Sequence, residues 1–502
     1  FSRAMFFPDG LNVLSSTAAL LVDLVLAPVT LAFGPVAAFT VAVTLAPAAD
    51  ALVAFAVLRR FTNWAPAAFA GGLLFGFGPF VATDLRYGHL DLTVVLVVPI
   101  ALLLADRLVR VPPARPWGAG VLLAALVVGE FFVSMELLAM VVVIAAVIAV
   151  ASLATKPGRH HLWAMAPALA TGAVISGALL AYPLWWYLHG PRHFSGAVFG
   201  DMTQASASLT SFVLPHGQLA RAEFLSGGNS AYLGVPLLVV LVAAGWRWRG
   251  DRILRFALAL AGLCAVISLG PTLHLGTSDS GVPLPAWPLA HLPVVSSMAT
   301  SRFAAITDVF CALALVRVLG HVHHALQRRG GTAAVLAPAG VALVALVPMG
   351  LAMPWPYPTE VLTQPAVLTR VASLPAGAVV REFPLPHGAH AEGLVWQAKA
   401  DFSYATTDGY AIVPGPRGRA TVSPVTGPLG EVFVGISLGR QHPPFSAPLV
   451  DGVRANAWGQ GATAIVVVRS GAHAVVAERL LAAALGPPSY ADSSGLLWLH
   501  RP

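Results

Sequence analysis

The sequence has few charged residues, and this shortage sets its class. Only 10% of the 502 residues are Asp, Glu, Lys or Arg, whereas 57% are hydrophobic. Soluble proteins carry about a quarter charged residues. The composition therefore excludes an ordinary soluble fold for most of the chain and favours lipid as its solvent.

Cysteine and nucleotide-binding motifs are also scarce. The two cysteines, Cys264 and Cys311, lie in apolar stretches, so a disulfide framework is not indicated. The polar C-terminal part contains no GxGxxG, P-loop or nucleophile elbow. The spacing of the histidines does not match a metal-binding motif, and neither a metal nor another cofactor is predicted. The acidic residues are nevertheless compatible with binding of a divalent ion.

Long apolar runs fill the first 353 residues. One crossing needs about 20 predominantly apolar residues, and backbone amides in hydrocarbon are satisfied by helix formation. We therefore predict a mainly α-helical, polytopic membrane bundle. Its ten expected spans are 35–58, 65–83, 89–106, 117–134, 135–154, 162–187, 231–246, 252–270, 303–323 and 332–353.

The distribution of arginine predicts the orientation of this bundle. The net charge of +7 does not indicate nucleic-acid binding, because the arginines collect on alternate loops, near residues 59–60, 107–115, 156–159, 247–255 and 328–329. Positive residues favour the cytoplasmic side. The rule predicts a multi-pass protein of the cell membrane with loops 188–230 and 271–302 outside, and with residues 1–34 on the outer surface.

The last part of the chain, residues 354–502, has a different pattern. Residues 378–384 and 463–469 are typical of strands, 473–485 have helical spacing before Gly486, and 496–500 predict a last strand. This order favours a small α/β domain, which the arginine pattern places outside the cell.

Ionisable residues beside the spans are the candidates for chemistry, because such groups are expensive in a membrane and are often functional. The densest set lies between Asp84 and Asp91 and includes Arg86 and His89. Helix capping by the two aspartates is the alternative interpretation. Glu130 and Glu136 flank the turn of a predicted hairpin and could bind substrate hydroxyls, act in acid–base catalysis, or pair with Arg86.

Other candidates lie on the predicted outer face. Asp9 stands in a Pro-Asp-Gly turn sequence. Ser301 and Arg302 open a span, where an arginine can hold phosphate or extend to the interface. Arg192 and His193 are weaker candidates for substrate binding.

Four stretches carry a resemblance to a family: residues 6–16, 87–104, 129–138 and 292–304. With the outer acidic turn, they resemble the GT-C superfamily of polytopic glycosyltransferases, in particular bacterial members. The abundance of Arg, Ala, Val, Gly and Pro beside only two lysines is typical of actinobacteria. The resemblance implies a hexosyltransferase of the cell envelope that uses a polyprenyl-phosphate sugar, with an outer-loop acid that activates the acceptor.

The resemblance assigns roles to the candidate residues. Asp9, Asp84 and Glu130 are then the candidate catalytic acids. The candidate substrate-binding residues are Arg86, His89, Asp91, Glu136, Arg192, His193, Ser301 and Arg302. The acceptor would be an envelope glycan, lipid or protein. Because the chain starts at Phe1, we expect the first helix of such an enzyme and most of its first loop to lie upstream, a region that could hold the expected catalytic carboxylate. A transporter or flippase and a non-catalytic envelope-assembly protein remain the alternatives.

Overall fold

The computed structural model describes residues 1–500 except 17, 111–115, 196–204, 216–229, 277, 293–297, 328–330, 354–356, 358, 360, 362 and 387–390. Parts of the predicted outer loops 188–230 and 271–302 therefore lie outside the described residues. Two short helices, α1 (Leu20–Val25) and α2 (Ala27–Phe33), precede the bundle. The bundle helices are α3 (Pro35–Leu58), α4 (Ala65–Gly76), α5 (Pro79–Tyr87), α6 (Leu90–Thr93), α7 (Val97–Arg110), α8 (Pro116–Phe131), α9 (Met135–Leu153), α10 (Lys156–His189), α11 (Val235–Arg247), α12 (Arg252–Ser268), α13 (Ala304–Gln327) and α14 (Ala333–Leu351).

Among the described residues, six helical segments are long and apolar enough to cross a membrane. They are Pro35–Phe61, Ala65–Tyr87, Met135–Leu153, Lys156–His189, Thr300–Gln327 and Ala333–Leu351. Each matches one of the ten predicted spans. Helices α8, α11 and α12 are shorter than expected, so ten crossings stay a prediction.

The prediction of one continuous span over 89–106 was wrong. Helix α6 ends after one turn, and the chain bends before α7 begins at Val97. Two features explain the break, one distant in sequence and one local. The backbone N–H of Val95 donates to the Asp50 carboxylate over 3.1 Å instead of to a helical carbonyl. Pro99 has no N–H and would interrupt a continuous helix, whereas it is tolerated in the first turn of α7, where a helix begins.

Helix α13 forms the centre of the bundle. Most of its side chains from Ala304 to Leu319 are buried, and it packs against α4, α12 and α14. Close helix contacts need small residues, as where Gly72 and Gly76 of α4 meet the backbone of α3 near Ala51. These contacts fix the relative positions of the charged residues carried by α3, α5 and α13.

The bundle has two chemically different ends. We call the acidic end the one formed by residues 84–91, 130–136 and 299–302. The opposite, arginine end carries residues 59–61, 156–159 and 247–255, and Arg317 of α13 binds the Phe61 carbonyl there over 2.7 Å. Arg317 follows Arg302 by 15 residues, or about 22 Å of helix.

The C-terminal part contains a sheet between two helical layers. One sheet consists of β3 (Val379–Phe383), β4 (Ala405–Thr406), β7 (Ala464–Val468), β8 (Tyr490–Ala491) and β9 (Gly495–Leu499). The described residues form two further hairpins outside this sheet, namely β1 (Thr272–Leu275) with β2 (Ser278–Pro283), and β5 (Ile412–Pro414) with β6 (Ala420–Val422). The sheet order is β4-β3-β7-β9-β8, with β4, β3 and β7 parallel. The predicted strands at 378–384, 463–469 and 496–500 are confirmed.

Helices cover both faces of this sheet. Helices α15 (Ala366–Ala372) and α16 (Glu392–Lys399) pack on one face, and α17 (Gly427–Ser437), α18 (Ala447–Asn456) and α19 (Ala474–Leu485) pack on the other. Helix α19 confirms the helix predicted at 473–485, and Gly486 ends it with a φ of 82°.

The N-terminal segment joins this α/β unit to the acidic end of the bundle. Its Phe7 N–H donates to the Thr406 carbonyl over 3.0 Å, and the Thr406 N–H donates to the Ala4 carbonyl over 2.8 Å. The Asn12 amide donates to the carbonyl of Trp186, near the end of α10, over 3.1 Å. The α/β unit and the acidic turn at 84–91 therefore lie at the same end of the bundle.

Candidate functional site

A buried arginine is the centre of the acidic end. Arg302 lies in a 3-10 turn, Thr300–Phe303, that leads into α13, and only 7% of its surface is exposed. Its guanidinium donates to Oε2 of Glu136. The other oxygen of Glu136 accepts the Ala299 N–H over 2.8 Å. One carboxylate therefore fixes both the side chain of Arg302 and the backbone turn that presents it.

The α8–α9 hairpin brings Glu136 to this position. Ser134 caps α9 by accepting the Leu137 N–H over 3.3 Å, which places Glu136 in the first helical turn. A negative side chain is favourable there because the helix N-terminus carries partial positive charge. Among the described residues, Glu136 pairs with Arg302 and not with Arg86, its predicted alternative partner. Arg86 is exposed, two residues from the buried Asp84 and therefore on a different face of α5.

Two more carboxylates surround Arg302. Asp84 at the end of α5 and Asp91 in α6 are both buried and interact electrostatically with its guanidinium. The cluster thus holds three carboxylates, from Asp84, Asp91 and Glu136, around a single guanidinium. The expected phosphate contact of Arg302 is disfavoured by this arrangement, because an incoming anion would meet the three carboxylates.

His89 links this buried cluster to the surface. Gly88 ends α5 in the left-handed region, with a φ of 71°, and turns His89 back over the helix. The His89 ring nitrogen Nδ1 then lies 3.0 Å from Oδ1 of Asp84. The His89 side chain is 27% exposed, whereas that of Asp84 is 4% exposed. An acidic partner that orients an accessible imidazole is a recurrent arrangement for general base catalysis.

Glu130 extends the acidic cluster into the bundle. It is 6% exposed and interacts electrostatically with Asp91 and with Asp50 of α3. Asp50 is fully buried. Oε1 of Glu130 and Oδ2 of Asp50 have no hydrogen-bond partner among the described residues. Asp91, Glu130 and Asp50 are therefore three buried carboxylates, with exposed fractions of 9%, 6% and 0%, and Glu130 interacts with both of the others.

Sequence reasoning missed Asp50 and Asp308. Asp308 is buried in α13, beside Gly78 and the start of α5, where it interacts with the backbone of Phe80. A signal existed for both aspartates, because each is a lone carboxylate within an apolar run and such residues are functional candidates by default.

The remaining candidates form a separate, more exposed group. Asp9 pairs with Arg192 at 3.2 Å, and 65% of the Asp9 side chain is exposed. The ring of His193 is held by its own turn, since its Nδ1 lies 3.0 Å from the carbonyl oxygen of Gly190. Asp9 itself lies in the turn that its Pro-Asp-Gly sequence predicts. The structure brings Asp9, Arg192 and His193 to one region but not into the cluster around Arg302.

The described residues give no basis for a metal centre. Ser301 is buried in the same turn as Arg302. Within the described ranges, no group of three or more His, Cys, Asp or Glu side chains is arranged to hold a metal ion.

Comparisons with known proteins add no family assignment. A scan against models of protein families finds no match, and a search of curated proteins finds no similar chain. The geometry of the acidic end is therefore the basis for inferring function.

Proposed function

We propose that this protein transfers a sugar from a polyprenyl-phosphate carrier to an envelope acceptor at the outer face of the cytoplasmic membrane. The single observation that carries the proposal is the Asp84–His89 pair at the end of the bundle that also holds the α/β unit. Resemblance of the sequence to the GT-C superfamily supports the same function.

The proposed reaction needs one base and one cation. His89 accepts the proton of the acceptor hydroxyl, while the acceptor oxygen forms a bond to the sugar C1 atom and the bond from C1 to the phosphate oxygen breaks. Asp84 orients the imidazole and stabilises its protonated form. We assign Arg86, which is exposed and three residues before His89, to hold the leaving phosphate.

This assignment differs from the roles that the sequence alone predicts, in which Asp84 is a catalytic acid and His89 binds substrate. The greater exposure of His89 favours it as the group that contacts substrate, with Asp84 as a positioning residue. Glu130 lies deeper than the pair and is not assigned to proton transfer.

The proposal includes a topology with ten crossings and the arginine end in the cytoplasm. Single cysteines at Arg86 and Phe402 should then react with a membrane-impermeant maleimide on intact cells, and a cysteine at Arg249 should not. The native Cys264 and Cys311 are buried and should give little background. Labelling of positions 86 and 402 from different sides would refute the topology.

A second candidate function is transport of a lipid-linked or small solute. The buried carboxylates of Asp91, Glu130 and Asp50 favour transport, because carboxylates inside membrane bundles often carry protons or bind coupling ions. In this case Asp50 would be essential and His89 would not.

One set of variants separates the two functions in the full chain. Transfer is measured with radiolabelled polyprenyl-phosphate sugars, and uptake is measured in vesicles. A transferase should lose turnover in His89→Ala and Asp84→Asn by at least about 100-fold but retain it in Asp50→Asn. Arg249→Gln is the control, since it removes an exposed arginine from the opposite end of the bundle. Uptake that depends on Asp50, without sugar transfer, would refute the transferase and support transport.

A further inference from the structure

A cavity at the arginine end is separate from the acidic cluster. It has a volume of about 700 Å³ and lies where α11 ends and α12 begins, with α13 behind it. Its principal side chains are Arg247, Trp248, Asp251, Arg252, Arg317 and His321. The volume falls within the range of small-molecule sites, about 300–1,000 Å³.

We propose that this cavity binds the phosphate group of an anionic phospholipid. The proposal does not depend on the sugar-transfer function, because the cavity lies about 22 Å along α13 from Arg302.

Both carboxylate oxygens of Asp251, the acidic side chain of the cavity, already accept hydrogen bonds from other residues. Oδ1 of Asp251 accepts the N–H groups of Ile253 and Leu254 over 2.9 and 3.2 Å. Its Oδ2 accepts the Arg317 guanidinium over 2.7 and 2.9 Å and lies 2.7 Å from His321 Nε2. Burial tends to raise the pKa of Asp251, but the hydrogen bonds from His321, Arg317 and Leu254 outweigh it and lower that pKa to about 2. Asp251 is therefore an anion committed to its own partners.

Two arginines remain to attract a ligand. Arg247 and Arg252 are exposed, and neither forms an ion pair with any residue in the described ranges. Asp251 offsets Arg317, so these two leave the cavity with a charge of about +2. Arg252 occupies the first position of α12, where a cation is unfavourable because the helix N-terminus is itself partly positive. A bound phosphate between the two guanidinium groups would remove that conflict.

Aromatic residues place the cavity at the depth of lipid headgroups. Trp246 is 79% exposed, and Trp248 stacks on His321 with ring centroids 5.1 Å apart. The Arg247 guanidinium lies 5.8 Å from the centre of the Trp248 ring, which holds it at the cavity. Exposed tryptophans are enriched at membrane–water interfaces, and basic pockets between membrane helices bind anionic headgroups. A lipid phosphate from the adjacent leaflet is therefore favoured over a soluble phosphate.

The test compares two pairs of arginines in the full chain. Arg247→Gln/Arg252→Gln removes the two exposed cavity arginines. Arg249→Gln/Arg255→Gln removes two other exposed arginines of the same loop region that do not line the cavity, and it keeps the same net charge as the first variant. Binding of fluorescent phosphatidylglycerol, with phosphatidylcholine as the neutral lipid, is measured on each purified protein by native mass spectrometry and by fluorescence anisotropy.

The expected result is a selective loss. Each arginine near a lipid surface contributes about fivefold to binding, so the cavity variant should bind phosphatidylglycerol about 25-fold more weakly than the unsubstituted chain. The control variant should stay within about twofold to threefold. Equal losses in the two variants would show diffuse surface charge rather than a site, and no loss in either would also refute the proposal. Competition by glycerol phosphate at the same concentration as the lipid would refute the lipid as the ligand.

Discussion

Removal of Arg302 should destabilise the bundle more than removal of its hydrogen-bonded partner Glu136. The guanidinium faces three carboxylates, so Arg302→Met removes the cation that all three share. Breaking a buried pair from one side costs about 3–5 kcal/mol. Glu136→Gln removes one charged hydrogen bond, worth about 1.5–3 kcal/mol, but leaves Arg302 beside Asp84 and Asp91. We therefore expect the first variant to lose more unfolding free energy than the second.

The double variant sharpens this prediction. If Arg302 compensated only Glu136, removing both partners would restore much of the stability, as replacement of isolated buried pairs often does. Because Asp84 and Asp91 remain, Arg302→Met/Glu136→Gln should instead be nearly as unstable as Arg302→Met. Arg192→Met is the matched control, since its partner Asp9 is 65% exposed and the pair should contribute less than about 1 kcal/mol.

The two cysteines supply the assay. Cys264 and Cys311 are 0% and 1% exposed, so a maleimide dye should react with them only when the bundle opens. Labelling along an SDS titration in mixed micelles then reports the loss of bundle structure for each variant. A Glu136→Gln variant as unstable as Arg302→Met, or a double variant as stable as the unsubstituted chain, would refute the compensation of three carboxylates by one arginine.

Three further predictions concern other parts of the chain. Burial raises the pKa of Glu382 to about 8 despite the hydrogen bond from Tyr404. The stability that protonated Glu382 contributes is complete below about pH 4.5 and is lost as the pH rises through about 8. Glu382→Gln should therefore protect the α/β unit from proteolysis at pH 9 and change little at pH 5. Asp251→Ala should lower the midpoint of the SDS titration more than Asp251→Asn, because Asn still caps α12. Gly76→Ala should cost about 1–3 kcal/mol by dye labelling, since its Cβ would lie 2.4 Å from the Ala51 nitrogen; Gly177→Ala, with open space around its Cβ, should be neutral or stabilising.

The sequence predicted the large features of this fold because their signals are local. An apolar run long enough to cross a bilayer forms a helix wherever it lies, and six such segments are present among the described residues. The same holds for residues 464–468, whose β-branched run forms the buried strand β7. The break at residues 94–96 could not be predicted in this way, because it depends on Asp50, which is 45 residues away in the sequence.

The candidate site was predicted in part for a similar reason. Asp84, His89 and Asp91 are neighbours in sequence, so one turn suffices to bring them together. The pairing of Glu136 with Arg302 joins residues 166 positions apart, and only the approach of the first turn of α9 to the turn before α13 creates it. Opposite charge and the shorter distance in sequence favoured Arg86 as the partner of Glu136.

Helix α13 explains why charged groups persist in an apolar bundle. Arg302 just before its first turn binds Glu136 of α9, and Arg317 toward the arginine end binds the Phe61 carbonyl. The carboxylate of Asp308, which is buried between them, has no hydrogen-bond partner among the described residues. These two contacts add to the close packing of α13 in favouring one register, since displacement by one turn would leave Arg302 and Arg317 without their partners. The catalytic geometry proposed for the acidic end depends on that register, because the turn carrying Arg302 lies directly before α13.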